Sequence, residues 1–280
     1  MKLSPLTLAQ YPAPIRLGIF VLALLLVWAP LAVPIYWLVG DRNLVSILTM
    51  VLLYGEFLIL VQFWGKRVYR QPQVLRSYGL QGTRRNAKEL LSGLVLGVAV
   101  TLGLFGIEGW LGFLVWERSP VYLPMMVVEG LISALGIGLG EEFLFRGWLL
   151  DELQRDYRPR AALWANATLF ALLHYIKPLP EIIRTWSGFP GKLLLGLTLV
   201  WAKRSSQGRL GLPIGLHAGL VWGYYIINVG QIVKYTGQVP DWVTGIDKNP
   251  LAGVVGLVFL SILAFWMNRR SRFLQSVEKF

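Results

Sequence analysis

Two adjacent carboxylates occur in one of the most apolar parts of this sequence, the segment GEEFLFRG at positions 140–147. On a helix, Glu142 and Arg146 are i,i+4 neighbours, so the guanidinium group can pair with this carboxylate and hold it ionised. Glu141 points about 100° away around the same helix. The two carboxylates therefore meet different environments, which is how a site separates an acid or base from a structural partner. A buried Glu–Arg pair that only stabilises a helix bundle is the alternative interpretation.

The chain contains two histidines, His174 in LFALLHY and His217 in GLPIGLHAGLVWG, and both lie in apolar segments that follow the glutamates. A single buried histidine is usually a packing residue. This chain instead has two histidines and two glutamates on three apolar segments, and no other histidine. These residue types act as general acids, general bases and metal ligands in hydrolytic sites.

The elements that must position these residues are membrane-spanning helices. Of the 280 residues, 55% are hydrophobic and 15% are charged, and the mean hydropathy is +0.56. These values, with apolar runs of about 20 residues along the whole length, predict an all-α polytopic membrane protein that forms a single integral membrane domain over residues 1–280. We predict eight transmembrane helices, at roughly 16–39, 44–64, 90–115, 124–150, 161–176, 191–202, 211–229 and 251–268.

The distribution of basic residues predicts the orientation of these helices. The net charge is +12, and most lysines and arginines fall in the two terminal segments and in the connections after the second, fourth and sixth helices. By the positive-inside rule these parts lie in the cytoplasm, which gives an N-in/C-in topology. The main role of the basic residues is then to orient the helices in the membrane, and attraction to anionic membrane lipid is a secondary effect. No nucleic-acid partner is expected.

Several smaller features complete the sequence-based description. The chain contains no cysteine, which excludes disulfides, thiolate metal ligands and a cysteine nucleophile. The N-terminal segment shows no signal-peptide cleavage pattern, so we expect the first span to be retained. Gly136 and Gly140 have the spacing of close helix packing in lipid. Glu56, near the middle of the second span, is expected to form a structural hydrogen bond in preference to serving a proton relay.

Depth along the helices indicates whether the four candidate residues can meet. At about 1.5 Å per residue, Glu142 lies about 12 Å and His217 about 9 Å from the cytoplasmic ends of their spans. His174 lies nearer to about 20 Å from the corresponding end. A tilt, or a later start of the embedded part of its helix, must supply the difference.

The segments EEFLFR (Glu-Glu-x-x-x-Arg), FALLH (Phe170-x-x-x-His174) and LHAGL around His217 resemble the motifs of the CPBP family. This family comprises the CAAX prenyl endopeptidases and the bacteriocin-processing, Abi-type proteins. The segments occur in the family's order, and the resemblance covers roughly residues 125–230, the expected catalytic helices. It implies an intramembrane endopeptidase with a conical, water-filled active-site cavity that is open to the cytoplasmic side.

The resemblance also implies a role for each candidate residue. Glu141 would activate the attacking water with the help of His174. Glu142 and Arg146 would order the site, and His217 would stabilise the developing oxyanion. The implied substrate is a membrane-associated protein or peptide, with or without a lipid group. The expected location is a prokaryotic inner membrane or a thylakoid-type membrane.

The sequence departs from the family pattern at one position. The family often has Asn or Asp four residues after the last histidine, and here that residue is Val221. The resemblance then implies that His217 works alone, that catalysis is weakened, or that another group assists His217. The candidates for such a group are Tyr224, Tyr225 and Asn166.

The presence of a metal is a separate question. Glu142, His174 and His217 could hold zinc with an open fourth position, and the remaining Glu141 could then act as base. The alternative is a metal-free glutamate peptidase. The absence of an HExxH sequence removes the commonest zinc-peptidase geometry. We favour a site without a cofactor, with zinc as the alternative.

Two other functions are compatible with a charged cluster in a membrane bundle. A non-enzymatic scaffold or immunity protein would keep the cluster for the stability of the bundle. A transporter would use Glu56, Glu129 and Glu141 as a polar pathway, but the sequence shows no inverted halves with matched broken helices. The endopeptidase is the favoured function.

Overall fold

The structure is a computed structural model that describes residues 5–277. The long helices of this part of the chain are α1 Ala13–Leu38, α2 Arg42–Arg67, α3 Arg84–Trp110, α4 Leu123–Asp156, α5 Pro159–Leu173, α6 Phe189–Ser205, α7 Gly211–Val229 and α8 Val254–Val277. Helix α4 is α-helical over Leu123–Glu142 and Leu150–Asp156 and π-helical over Phe143–Leu149.

Short elements occupy the connections. Short helical segments cover Pro5–Leu8, Val74–Ser77, Leu179–Thr185, Trp186–Gly188, Asp241–Thr244, Ile246–Lys248 and Pro250–Ala252. Strand β1, Leu114–Trp116, pairs antiparallel with β2, Val233–Tyr235. In the register of this pair, Val115 lies opposite Lys234.

The all-α membrane fold predicted from composition is confirmed. Among the described residues, six helices are long and apolar enough to cross a membrane, namely α1, α2, α3, α4, α7 and α8. Helices α5 and α6 have 15 and 17 residues, fewer than the roughly 20 residues that span a bilayer. The chain is therefore an integral membrane protein. The count of eight spans and the N-in/C-in orientation remain predictions.

Local sequence signals define where several helices begin. The Asp41 side chain accepts a hydrogen bond from Leu44 N at 2.8 Å, and the Thr83 hydroxyl accepts one from Asn86 N at 3.2 Å. Helices α2 and α3 therefore start with a side-chain cap. Proline occupies the first turn of α4, α5 and α6, where its missing N–H leaves no hydrogen bond unmade.

Helix α7 contacts α3, α4 and α6, and glycines bring its backbone directly against α3. A Cβ atom on Gly215 or Gly219 would clash with the α3 backbone at Leu90 or Leu94. In lipid, apolar burial gives little driving force for helix association, so close backbone packing of this kind becomes important.

A different glycine mediates the contact between α4 and α7. A Cβ atom on Gly138 would lie 2.9 Å from Ile214 O of α7. The packing predicted for Gly136 and Gly140 was wrong: Gly136 faces open space, and Gly140 makes only an ordinary contact with the Tyr54 ring, at 3.6 Å. The reason is rotational, because Gly138 lies about 200° around the helix from Gly136.

The bundle has two ends that differ in charge. The basic end carries connections 68–83, 157–158 and 206–210, and the hairpin end carries connections 39–41, 111–122, 174–188 and 230–253. At the basic end, buried Arg16 of α1 bonds Glu152 of α4 at 3.1 Å, and Tyr69 donates to the same carboxylate at 2.7 Å. At the hairpin end, Tyr235 of β2 donates to Glu108 of α3 at 3.2 Å. These contacts join elements that are distant in the chain.

Candidate active site

The middle of α4 is a π-helical turn that follows the two glutamates directly. A π-helix shifts the backbone hydrogen bonds by one residue, and here side chains from neighbouring helices bond its carbonyl oxygens. Asn166 Nδ2 of α5 donates to Phe145 O at 2.7 Å, and Lys203 Nζ of α6 donates to Arg146 O at 2.6 Å. The turn is therefore held from two sides.

Glu142, Arg146 and His217 form a buried hydrogen-bonded group. Arg146 Nη1 donates to Glu142 Oε1 at 3.0 Å, which is the predicted i,i+4 contact, and His217 Nδ1 lies 2.9 Å from the same oxygen. The side chains of Glu142 and Arg146 are fully buried. An ionised carboxylate only accepts hydrogen bonds, so His217 donates from Nδ1. Its Nε2 is left for another partner.

Phe170 connects this buried group to His174. The Arg146 guanidinium lies 4.2 Å from the centre of the Phe170 ring, a cation–π contact. The Phe170 carbonyl oxygen lies 2.7 Å from His174 Nδ1. A carbonyl only accepts, so Nδ1 carries the proton, and Nε2 of the neutral ring is an acceptor.

Glu141 points away from the buried group, as its helical position predicted. Its Oε2 lies 3.7 Å from His174 Nε2, and the two side chains are 32% and 30% exposed. Glu141 Oε2 has no hydrogen-bond partner among the described residues. The site thus contains one fully buried carboxylate, engaged by Arg146 and His217, and one half-buried carboxylate beside His174.

Glu141, His174 and His217 line a common cavity of about 320 Å³. Val221 and Tyr224 of α7 line it as well. Apolar side chains from helices α3 to α8 and from the connection before α8 form most of the remaining wall. The cavity is therefore a largely hydrophobic chamber with a few polar groups at one side.

This cavity lies toward the hairpin end of the bundle. Its wall includes residues 249–251 of the connection before α8 and the stretches of α3 and α8 nearest that end. Within residues 5–277, the connections of the basic end contribute nothing to it. If the basic end is cytoplasmic, as the N-in/C-in topology predicts, this part of the cavity wall lies toward the non-cytoplasmic side. The side to which the cavity opens remains a prediction.

The mismatch in depth expected between Glu142 and His174 is absent. Helix α4 continues to Asp156 instead of ending near residue 150, which puts Glu142 about 21 Å from this end of the helix. His174 follows directly after α5, which starts at Pro159, and so lies about 22 Å along it. The two residues reach the same depth.

Tyr224, Tyr225 and Asn166 were considered as groups that assist His217, and of these three only Tyr224 lines the cavity. Asn166 is buried and donates into the π-helical turn of α4. Tyr225 packs against α4. Val221 lies in the cavity wall one turn after His217 and offers no hydrogen-bond donor.

The residues do not assemble the zinc site considered from the sequence. In the described part of the chain, no group of three or more His, Asp and Glu side chains is arranged to hold a metal ion. Glu142 Oε1 is engaged by Arg146 and His217, whereas His174 lies beside Glu141. The donors named for zinc, Glu142, His174 and His217, do not converge on one point.

Two other acids weigh against a polar transport pathway. Both oxygens of Glu56 lack a hydrogen-bond partner among the described residues, so the structural hydrogen bond predicted for this residue is not formed. Glu129 lies on the exposed surface of α4. Neither residue lines the cavity that contains Glu141.

Two lysines belong to the site although their sequence positions do not indicate it. Lys203, in the last turn of α6, is 9% exposed and also bonds Tyr78 O, at 3.3 Å. Lys192 lines the cavity. On the sequence, both lysines are ordinary basic residues near the ends of predicted helices. A lysine in the last turn of a helix is common, so no spacing signal distinguishes Lys203.

A comparison with protein families matches the segment of the chain that carries the candidate residues. The family profile described as "Type II CAAX prenyl endopeptidase Rce1-like" matches residues 123–223, from the start of α4 into α7. Comparisons with curated proteins and with solved structures give no match. The matched segment contains all five candidate residues, and the resemblance based on the motifs is confirmed. Residues 123–223 are thus similar to the Rce1-like family of type II CAAX prenyl endopeptidases, and this similarity supports a function of the CAAX-type intramembrane protease kind.

Proposed function

We propose that the protein is an intramembrane endopeptidase in which Glu141 and His174 activate water without a metal ion. The observation that best supports this is the approach of Glu141 Oε2 to His174 Nε2, 3.7 Å apart in a cavity of about 320 Å³. The family match supports the reaction class. The scaffold and transporter functions do not explain an accessible acid–histidine pair in a chamber of this kind.

A single water molecule would bridge the two groups. Both Glu141 Oε2 and His174 Nε2 are acceptors, since His174 Nδ1 donates to Phe170 O, and the 3.7 Å gap is longer than a direct hydrogen bond. One water donates a hydrogen bond to each, and an oxygen lone pair is left to attack a peptide carbonyl. Glu141 takes the water proton as general base and returns it to the leaving amine as general acid.

The buried group would position His217 for the same reaction. Glu142 accepts from His217 Nδ1, and Arg146 holds the carboxylate in place, which leaves Nε2 as the ring nitrogen available to the substrate. When Nε2 carries a proton, it can donate to the oxyanion of the tetrahedral intermediate. Losing one such donor typically costs about 10²–10³-fold in kcat.

The cavity wall indicates the kind of substrate. Because leucine, valine, isoleucine and phenylalanine side chains dominate it, we propose that it receives an apolar segment of a membrane-associated protein or peptide, with or without an attached lipid. If the basic end faces the cytoplasm, the scissile bond is approached from the non-cytoplasmic side. A prokaryotic inner membrane or a thylakoid-type membrane is the proposed location.

Replacing Glu141 by glutamine tests the catalytic assignment. With detergent-purified full-length protein and a quenched peptide library, we expect kcat/KM to fall by about 10²–10⁴-fold in Glu141→Gln, because the amide cannot accept the water proton. Glu129→Gln is the matched control, since it makes the same change on the exposed surface of the same helix. It should cleave like the wild type.

A chelator separates the metal-free mechanism from the zinc alternative. Cleavage that depends on Glu141 and persists in the chelator supports the proposal. Cleavage that is lost in the chelator and restored by zinc contradicts the metal-free mechanism. Equal cleavage by the wild type and Glu141→Gln, or no cleavage by folded wild-type protein, favours the scaffold or immunity function.

A further inference from the structure

Lys192 places a positive charge in the wall of the same cavity. It lies in the first turn of α6, is half-buried, and shares the cavity lining with Glu141 and His174. Its Nζ donates to the Tyr175 hydroxyl at 3.2 Å. The Tyr175 hydroxyl in turn donates to Thr185 O at 3.0 Å, so the phenol oxygen is oriented to accept from the lysine.

Among residues 5–277, Lys192 forms no ion pair. The groups around its ammonium are neutral or positive: Nζ lies 4.7 Å from the centre of the Tyr175 ring, and Lys177 Nζ lies 5.2 Å from the centre of the same ring. Glu142, the buried carboxylate of the site, is already engaged by Arg146. An ammonium in a largely apolar chamber is costly without an anion. Among residues 5–277 no carboxylate pairs with this lysine, although Glu141 lines the same cavity, and the open space beside the lysine is where a substrate would lie.

The backbone makes room for this side chain. A Cβ atom on Gly188 would lie 2.9 Å from Lys192 Nζ, so a larger residue at this position would displace the ammonium. Lys177, by contrast, is held outside the cavity by its bond to the Thr185 hydroxyl, at 2.5 Å. Of these two lysines, only Lys192 lines the cavity.

Building on the proposed endopeptidase function, we propose that Lys192 is a specificity-determining residue that binds a carboxylate of the substrate. The favoured substrates would be peptides that place a carboxylate close to the scissile bond. The carboxylate comes either from the free C-terminus of the substrate or from an acidic side chain. The Tyr175 hydroxyl keeps the ammonium directed along the cavity wall while the carboxylate binds.

Matched peptides test this proposal. For a peptide that the wild type cleaves, kcat/KM is compared between the free C-terminal acid and the C-terminal amide, and between Asp and Asn in the residues after the scissile bond. We expect the wild type to prefer one of the two carboxylate forms by about 10- to 100-fold, as for a hydrogen bond to a charged group. Whichever pair shows the preference identifies the source of the carboxylate.

Three variants then locate the preference. The measured quantity is the ratio of kcat/KM for the carboxylate form of the peptide to that for the amide form. This ratio should fall toward one in Lys192→Met, whereas Lys192→Arg should keep most of the preference. Lys177→Met is the control for a general loss of positive charge and should keep the wild-type ratio. Melting curves of all four proteins establish that they are folded.

Each result bears on a separate claim. A wild-type ratio of one for both peptide pairs, with cleavage that still depends on Glu141, overturns the role of Lys192 and leaves the endopeptidase intact. A preference that persists in Lys192→Met also overturns it. If the folded wild type cleaves no peptide, the proposed function fails, and the role of Lys192 fails with it.

Discussion

Replacing the two adjacent glutamates one at a time should separate stability from catalysis. Glu142→Gln keeps the shape of the side chain but removes the charge that Arg146 and His217 bond at 3.0 and 2.9 Å. Arg146, which is fully buried, would then lie in the bundle without a counter-ion. Breaking a buried ion pair by removing one partner costs about 3–5 kcal/mol. We expect Glu142→Gln to lower the free energy of unfolding by this amount.

Glu141→Gln provides the comparison one residue away. Glu141 is 32% exposed and its Oε2 has no hydrogen-bond partner among the described residues, so its loss should change the free energy of unfolding by no more than about 0.5 kcal/mol. This variant should instead lose activity. We therefore expect Glu141→Gln to be stable but inactive, and Glu142→Gln, the same substitution one residue later, to be destabilised.

A double variant checks the electrostatic reasoning. Combining Glu142→Gln with Arg146→Met removes the unpaired cation and should recover part of the lost stability. Recovery will be incomplete, because Arg146 also donates to Gly196 O at 3.2 Å and lies over the Phe170 ring. The measurement is thermal or denaturant unfolding in one detergent. Two results would refute a buried ion pair at this position. One is an equal free energy of unfolding for Glu141→Gln and Glu142→Gln, and the other is a double variant that is less stable than Glu142→Gln.

Packing and orientation give two further predictions. Gly215→Ala should destabilise the protein by about 1–3 kcal/mol, because the new Cβ atom would meet the α3 backbone at Leu90. Gly136→Ala is the control and should not destabilise it, because Gly136 faces open space. Equal melting temperatures of the two variants would contradict direct backbone contact between α7 and α3. The absence of native cysteine allows single cysteines to be labelled in intact cells with a membrane-impermeant maleimide. We expect labelling of Gln238→Cys at the hairpin end and not of Gln73→Cys at the basic end. The reverse pattern would put the cavity on the cytoplasmic side.

Local properties of the sequence were sufficient to predict a helical membrane fold and the contact between Glu142 and Arg146 in α4. Apolar length determines which segments can cross a bilayer, and the i,i+4 spacing of Glu142 and Arg146 makes them neighbours on any helix. The same geometry directs Glu141 to another side. These predictions depend on residues within a few turns of one another, so they needed no knowledge of how the helices pack. The motifs around His174 and His217 located the other two residues of the site.

The tertiary structure alone decided which of these residues meet. His217 bonds Glu142 across 75 positions of sequence, whereas His174 lies beside Glu141, so the residues considered for the zinc alternative are divided between two pairs. Such contacts depend on where helices end and how they rotate. Ending α4 near residue 150 instead of at Asp156 displaces Glu142 by about 9 Å relative to its neighbours.

Rotation and depth also decided the roles of the lysines and the position of the cavity. On the sequence, Lys192 and Lys203 are two orientation charges among 27 basic residues. In the bundle, one lines the cavity of the candidate site and the other bonds the π-helical turn of α4. Hydropathy and charge determine that a segment enters the membrane and in which direction. They do not determine which face of that segment meets which neighbour, because that choice depends on close packing between backbones distant in the chain.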